Sequence, residues 1–179
     1  MTPKSTATSK PTSPIHWRTA VRVADSAAVG RVATATEFFS SEEVAVAVEL
    51  VDTRLAQGAA SGYDFVLADI DGELAGYTCF GPIPATAASY DLYWIIVDPR
   101  HQGRGLGRML LERSEEAIRA AGGRRVYIET SSRPQYEPTR GFYLRTGYTQ
   151  AALLDDFYAP GDGKLIYVRA IGARTLTAV

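Results

Sequence analysis

The chain has 179 residues, of which 46% are hydrophobic and 10% aromatic, so it is long enough for one domain with a substantial core. Nineteen basic residues nearly balance 20 acidic ones, and the net charge of −1 argues against binding nucleic acid through bulk charge. The single cysteine, Cys79, excludes an internal disulfide, and no Cys/His cluster has the spacing of a zinc site. We therefore predict no metal centre and no nucleic-acid partner.

The N-terminal segment differs in composition from the rest of the chain. Residues 1–14 are rich in Ser, Thr and Pro and lack the apolar segment of a signal peptide. We therefore predict a disordered tail over residues 1–14 and a single domain over residues 15–179. No apolar run reaches the roughly 18 residues that a membrane-spanning helix needs, so we expect a cytoplasmic protein that does not enter the membrane.

The first third of the chain predicts one strand and two helices. Residues 16–24 have the composition of a strand, and Asp25 or Ser26 can cap the helix that follows. A second helix is predicted after Ser40 or Ser41, because two glutamates favour a helix N-terminus there and valines follow at helical spacing.

The middle of the chain changes to strand patterns. Asp71 and Gly72 separate two apolar runs, which predicts a β-hairpin. Residues 92–97 are apolar without a break, and such a run is typical of a strand covered on both faces. Pro99 ends this fourth strand.

The remaining third alternates helices and strands. A third helix is predicted from Leu106 to the glycine pair at 122–123, followed by a strand over residues 124–130. A short helix stops at Gly147, and two final strands are joined through the turn at residues 159–163. The order β-α-α-β-β-β-α-β-α-β-β predicts an α/β domain built in layers on a mixed sheet. Its fourth strand, third helix and fifth strand form a right-handed unit.

Three glycines alternate where the third helix begins: Gly103, Gly105 and Gly107, with Arg104 and Arg108 among them. The first turn of a helix leaves four N–H groups without intrahelical partners, and the helix dipole adds positive charge there. Glycines lack the Cβ that would keep a ligand away from these groups. The segment therefore predicts a phosphate or pyrophosphate site.

Known glycine loops narrow this prediction. A nucleotide P-loop requires a Lys-Ser/Thr pair that is missing here, and a dinucleotide loop requires glycine where this chain has Arg108. The pattern Gln/Arg-x-x-Gly-x-Gly/Ala is matched by Gln102, Gly105 and Gly107. A second motif, Thr-Arg-Gly-Phe-Tyr-Leu-Arg-Thr-Gly-Tyr at residues 139–148, follows roughly 35 residues later with a strand between them.

In this order, the two motifs resemble those of the GCN5-related N-acetyltransferase (GNAT) family. The resemblance extends over about Trp17 to Ile171. It implies a three-layer fold with a central mixed sheet of about six to seven strands and helices on both faces. It also implies that the fourth and fifth strands splay apart to admit a cofactor.

The resemblance further implies acetyl-CoA as the donor substrate. The amides of the glycine loop would bind its pyrophosphate, and the exposed backbone of Ile96 and Val97 would pair with its pantetheine arm. Many family members have an asparagine after the fifth strand, where this chain has Ser131 and Ser132. The residues expected to bind the cofactor are Ile96, Val97, Gln102, Gly103, Arg104, Gly105, Gly107, Arg108, Ser132, Tyr136 and Arg140.

Acetyl transfer to an amine needs a base and an acid. Tyr143 matches the motif tyrosine of the family, which implies that its hydroxyl protonates the leaving thiolate. Glu129, late in an apolar strand, is our candidate for the base, acting through a water. Asp91 and Tyr93 on the fourth strand are alternatives.

These features predict an N-acetyltransferase that transfers acetyl from acetyl-CoA to a primary amine of an unidentified small molecule or peptide. Asp155 and Asp156 can guide a cationic acceptor. The alternatives are a non-catalytic acyl-CoA-binding or sensor domain, a nucleotide-binding domain of another class, and an interaction module. The sequence leaves open whether the chain forms a homodimer.

Overall fold

The computed structural model describes residues 13–172, so the predicted tail falls almost wholly outside the described residues. Within this range, no helix is long and apolar enough to cross a membrane. Strands and helices follow the predicted order, with these bounds: β1 His16–Arg18, α1 Ala24–Ala35, α2 Ser41–Gln57, β2 Asp64–Ile70, β3 Glu73–Pro82, β4 Ser89–Val97, α3 Leu106–Ala120, β5 Arg125–Ser131, α4 Glu137–Arg145, β6 Thr149–Ala159 and β7 Asp162–Ala170.

One mixed sheet runs through the described residues in the order β1-β2-β3-β4-β5-β7-β6. All neighbouring strands are antiparallel except β4 and β5, which are parallel and connected through α3. The predicted hairpin is confirmed, since β2 and β3 pair from Ile70 and Glu73 across the turn at Asp71 and Gly72.

Helices cover both faces of the sheet, as predicted. Side chains alternate along β2: Val66 and Ala68 pack with α3, while Phe65 and Leu67 pack with α1 and α2. Cys79 lies fully buried in the α1–α2 layer, so it is a core residue. The two layers hold the sheet from opposite sides and thereby fix the position of its central strands.

The start of α1 differs from the prediction. The first strand ends at Arg18, and the N-cap of α1 is Val23 without a side-chain hydrogen bond. Asp25 is buried instead, where it accepts hydrogen bonds from the Arg18 guanidinium, which also bonds Asp69. An ion pair with Arg18 therefore holds the carboxylate that we expected at the helix cap.

The start of α2 agrees with the prediction. Ser40 is the N-cap: its Oγ accepts the Glu43 N–H at 3.2 Å, and the Glu43 carboxylate accepts the Ser40 N–H at 2.8 Å. This capping box satisfies two helix-terminal donors. At the other end, Gly58 is the C-cap with a φ of 59°.

Candidate active site

A cleft opens in the middle of the sheet between β4 and β5. The two strands pair only from Ser89 and Arg125 to Asp91 and Tyr127. Beyond that point β4 continues to pair with β3 alone, and β5 with β7 alone. The predicted splay is therefore present, and it creates a cavity of about 1070 Å³ that reaches the loops at both ends.

The splay changes the burial of β4. We expected residues 92–97 to be covered on both faces, but only Leu92 and Ile96 are buried, and Tyr93 is 39% exposed. The other residues are partly exposed, because β5 no longer pairs with β4 beyond Asp91. A β-bulge at the same place makes Tyr93 the extra residue, because Cys79 is opposite Trp94 while the next residue of β3 is opposite Leu92.

The free edge of β4 offers backbone groups to the cleft. Val97 lies opposite Gly76, and the Asp98 N–H donates to the Ala75 carbonyl at 2.9 Å, so the polar groups of Val97 point away from β3. Successive residues of a strand alternate, so those of Ile96 point toward Tyr77. Of the two residues expected to pair with the cofactor, only Val97 directs its N–H and C=O away from β3, and Ile95 does the same two residues earlier.

The glycine loop lies beside the end of β4. Gly105 is the N-cap of α3 with a φ of 80°, and Gly103 has a φ of 73°; both conformations favour glycine. A Cβ at either position would meet no other residue within 4 Å, and one at Gly107 would lie 3.7 Å from Val97 Cγ2. Open space therefore faces the N-terminus of α3 next to the cleft, and the loop fits a pyrophosphate.

The side chains around the glycine loop differ in whether they already have a hydrogen-bond or ion-pair partner. Gln102 lines the cleft and its Nε2 donates to the Val97 carbonyl at 3.1 Å. Arg108 pairs with Glu112 at 2.8 Å on the exposed surface of α3. Arg104 is exposed and has no ion pair with another residue of the range 13–172, so its charge is available to a ligand. His101 Nδ1 is buried and has no hydrogen-bond partner in the described chain.

Tyr143, on α4, is among the residues that line the cleft. Its ring is only 4% exposed and packs against Phe142, Tyr148 and Tyr167. Burial raises the pKa of the Tyr143 hydroxyl, which makes no hydrogen bond within residues 13–172. The phenol thus stays protonated with its donor free, as a proton donor must be.

The two predicted candidates for the base have different surroundings. Glu129 lines the cleft, but its carboxylate forms an ion pair with the Lys164 ammonium, with Nζ and Oε2 2.6 Å apart. Asp91, also in the lining, is half-buried and has no side-chain hydrogen bond to a described residue. Burial, then the charge of Glu129, raises the pKa of Asp91, while Lys164 lowers it. Burial and the charge of Asp91 raise the pKa of Tyr93 to about 12.

Three residues expected near the cofactor stabilise the loop after β5 or close the cleft. Ser132 Oγ accepts the Gly163 N–H at 2.7 Å, and Arg140 Nη1 donates to the Ser131 and Arg133 carbonyls. Neither Ser132 nor Arg140 lines the cleft, whereas Ser131 does. Tyr136 lines it and is buried.

The sequence did not predict two aromatic contacts among the residues that line the cleft. Phe38, in the loop between α1 and α2, meets the Tyr136 ring edge-on with centroids 4.6 Å apart. Its neighbour Phe39 meets Trp94 of β4 at 5.1 Å. We call these four residues the aromatic clasp. Two adjacent phenylalanines in a loop are an apolar signal that could have indicated a packing contact. They do not indicate Tyr136 and Trp94 as the residues they contact.

The acidic lining also differs from the prediction. Asp155 and Asp156 lie on the exposed strand β6 and do not line the cleft. Glu43 and Asp162 do, together with Asp91 and Glu129. From the sequence, the two glutamates at the start of α2, Glu43 among them, were expected only to favour the helix N-terminus by their charge. Within residues 13–172, no group of three or more His, Cys, Asp or Glu is arranged to hold a metal ion.

Comparison with known proteins identifies related sequences and structures. The sequence model of the acetyltransferase (GNAT) family matches residues 32–148. A GNAT-family protein from Desulfovibrio desulfuricans has 47% sequence identity and a TM-score of 0.87, over 88% of this chain and 99% of that one. A Salmonella typhimurium protein solved with its cofactor acetyl-CoA has 20% identity and a TM-score of 0.68, over 89% of this chain and 95% of that one.

Two curated relatives match part of the chain. Mycothiol acetyltransferase of Beutenbergia cavernae is 37% identical over 76 residues, or 41% of this chain and 24% of the relative. The N-alpha-acetyltransferase RimI of Mycobacterium tuberculosis is 33% identical over 95 residues, or 52% of this chain and 57% of the relative. The matches thus span about a quarter of the first relative and just over half of the second.

Proposed function

The chain belongs to the GNAT family of acetyltransferases, and on this premise we propose that it transfers acetyl from acetyl-CoA to a primary amine by direct attack. One observation carries the proposal: the free edge of β4 and the bare N-terminus of α3 meet at one end of the cleft that Tyr143 lines. This arrangement supports the proposal, because it would let one ligand contact a strand edge, helix N–H groups and the Tyr143 hydroxyl at the same time.

The chain's own groups fit the donor. Acetyl-CoA, when bound, supplies an activated thioester. The N–H groups from Gln102 to Arg108 would hold its pyrophosphate, with Arg104 adding charge. The cleft-facing N–H and C=O of Val97 would pair with the pantetheine arm, as an added strand pairs with a sheet edge.

The catalytic groups act on the bond that forms and the bond that breaks. A neutral acceptor amine attacks the thioester carbonyl, and a free N–H of β4 stabilises the negative charge that develops on oxygen. As the C–S bond breaks, the Tyr143 hydroxyl would donate a proton to the departing sulfur, and the proton that the new amide nitrogen loses would return to the Tyr143 oxygen through water. An ammonium with a pKa near 10.4 must first lose a proton, and Asp91 or Glu129 can receive it through water.

Replacement of Tyr143 by Phe tests the proposed transfer. We expect kcat to fall by about 10²-fold, because only the proton donor is lost, with acetyl-CoA affinity nearly unchanged. Free CoA release with a panel of primary amines measures the first, and calorimetry measures the second. Tyr167→Phe is the matched control, since Tyr167 is a buried neighbour that does not line the cleft.

The non-catalytic alternative gives a different result. An acyl-CoA-binding or sensor domain would bind acetyl-CoA but release no CoA with any amine of the panel. The Tyr143 hydroxyl, which lies in the cleft and has no hydrogen-bond partner among residues 13–172, supports transfer, since binding alone needs no such donor. The names of the curated relatives differ in acceptor, one citing mycothiol and the other N-alpha acetylation.

A further inference from the structure

Four tyrosines line the same cavity as Tyr143, and we call the part of the cleft that they wall the acceptor compartment. Tyr93, the bulge residue of β4, meets Tyr63 edge-on with centroids 5.6 Å apart, and both rings line the cleft. Tyr127 and Tyr158 line it from β5 and β6. Tyr143, nearly fully buried and without a hydrogen-bond partner within residues 13–172, marks the reacting end of the same cavity. This compartment is where a second substrate would reach the thioester.

Negative charge predominates in the compartment. The carboxylates that line the cleft are Glu43, Asp91, Glu129 and Asp162. Lys164 neutralises one at 2.6 Å and Arg133 another at 3.1 Å. No ion pair reaches the other two from any residue in the range 13–172, and Asp91 also lacks a side-chain hydrogen bond there. Two negative charges therefore face a space walled by tyrosines.

Asp91 is placed where the cleft begins. It is the last residue of β4 that pairs with β5, and Tyr93 follows two residues later. A partly buried carboxylate without a donor is unfavourable in the free protein. A cation with an apolar body would satisfy it, since tyrosine faces also attract cations.

The aromatic clasp restricts the shape of the ligand. The Phe38–Tyr136 contact joins the α1–α2 loop to the start of α4, and both rings line the cleft. Phe39 fixes the same loop on Trp94. A ligand in this part of the cleft must fit against these rings or separate them.

We propose that the acceptor is a small organic cation without a carboxylate, whose ammonium group is received by Asp91 and whose body lies between the tyrosines. The inference rests on the proposed function, since it names the acceptor class of that cleft. A ligand that carries its own carboxylate would face the unneutralised charge of the compartment. The Asp91 carboxylate both binds the ammonium and lies where it can accept its proton.

Binding without turnover tests this inference. Pentylamine and 6-aminohexanoate carry a similar amine, but only the second also has a carboxylate. Each is titrated by calorimetry into the full chain saturated with CoA, which has no acetyl group to transfer. The titrations are repeated with Asp91→Asn and with Glu49→Gln. Glu49 is an exposed residue of α2 outside the cleft lining, so its variant removes the same charge elsewhere.

We expect pentylamine to bind at least about tenfold more tightly than 6-aminohexanoate, and Asp91→Asn to weaken it about tenfold or more. Glu49→Gln should bind both ligands as the unmodified chain does. Equal affinity for the two amines, no binding of pentylamine, or an unchanged affinity in Asp91→Asn would overturn the inference.

The CoA titration that precedes these measurements reports separately on the proposed function. If CoA and acetyl-CoA fail to bind, the transferase proposal fails, and the amines are titrated into the free chain with the same criteria. If acetyl-CoA binds and only amines outside the proposed class, such as those that carry a carboxylate, are acetylated, the transferase proposal stands while the acceptor class is wrong.

Discussion

Single residues in the cleft have electrostatic roles that their neighbours along the chain do not reveal. Glu129 and Asp91 both lie on strands that line the cleft, and the sequence made Glu129 the better candidate for the base. Lys164, 35 positions further along the chain, holds Glu129 at 2.6 Å and leaves Asp91 without a partner in the described range. Because β7 supplies that lysine, only the strand order could decide between the two carboxylates.

The raised pKa of Asp91 has opposite consequences for function and stability. Ligand binding needs the anion, so affinity for a cation falls as the pH decreases through the raised pKa, starting at a higher pH than for an ordinary aspartate. For stability, a folded-state pKa above the unfolded one means that stability is greatest below the unfolded pKa. It is lost as the pH rises through the folded pKa.

Asp91→Asn should therefore unfold at the same temperature as the unmodified chain at pH 7, or at a higher one. Its melting temperature should also change less between pH 4 and pH 7. The charged groups that act on Asp91 are Glu129 and Lys164, which the variant and the unmodified chain both retain. Thermal unfolding at the two pH values checks this. A marked loss of stability at pH 7 would mean that Asp91 has a stabilising partner.

At the scale of secondary-structure elements, the sequence predicted correctly those features whose interactions involve residues close together along the chain. Ser40 before α2 and the Asp71-Gly72 turn carry their information within four residues, and both predictions are confirmed. Asp25 failed as a helix cap because Arg18 of β1 and Asp69 of β2 determine its position. The same limit explains why β4 was expected to be buried on both faces.

The capping box of α2 predicts a measurable contribution to stability. Ser40→Ala should lower the free energy of unfolding by about 1 kcal/mol, because the Glu43 N–H loses its acceptor. Ser41→Ala is the control: Ser41 is exposed and is the first residue of the helix rather than its cap. Urea unfolding measures both variants. Equal losses in the two would show that the cap contributes no more than helix propensity.

At the scale of the whole molecule, the cleft depends on the arrangement of the sheet. Helices on both faces hold β3–β4 and β5–β7 as two pairs that separate after Asp91 and Tyr127. Motif resemblance implied this splay and the anion site at Gly105. It did not imply the aromatic clasp or the charge of the acceptor compartment, because residues of the α1–α2 loop, β6 and β7 build them.

The central claim is that the N-terminus of α3 binds the pyrophosphate of acetyl-CoA. Calorimetry with acetyl-CoA tests it most directly, on the unmodified chain, Gly105→Glu and Gly122→Glu. Both glycines have positive φ, 80° and 88°, and both face open space, but Gly122 follows the far end of α3. The two variants thus share the backbone strain and the added charge, and differ only in position.

We predict micromolar binding by the unmodified chain and by Gly122→Glu, and no measurable binding by Gly105→Glu, whose carboxylate would occupy and repel the anion site. Absence of binding by the unmodified chain, or retained affinity in Gly105→Glu, would contradict the account.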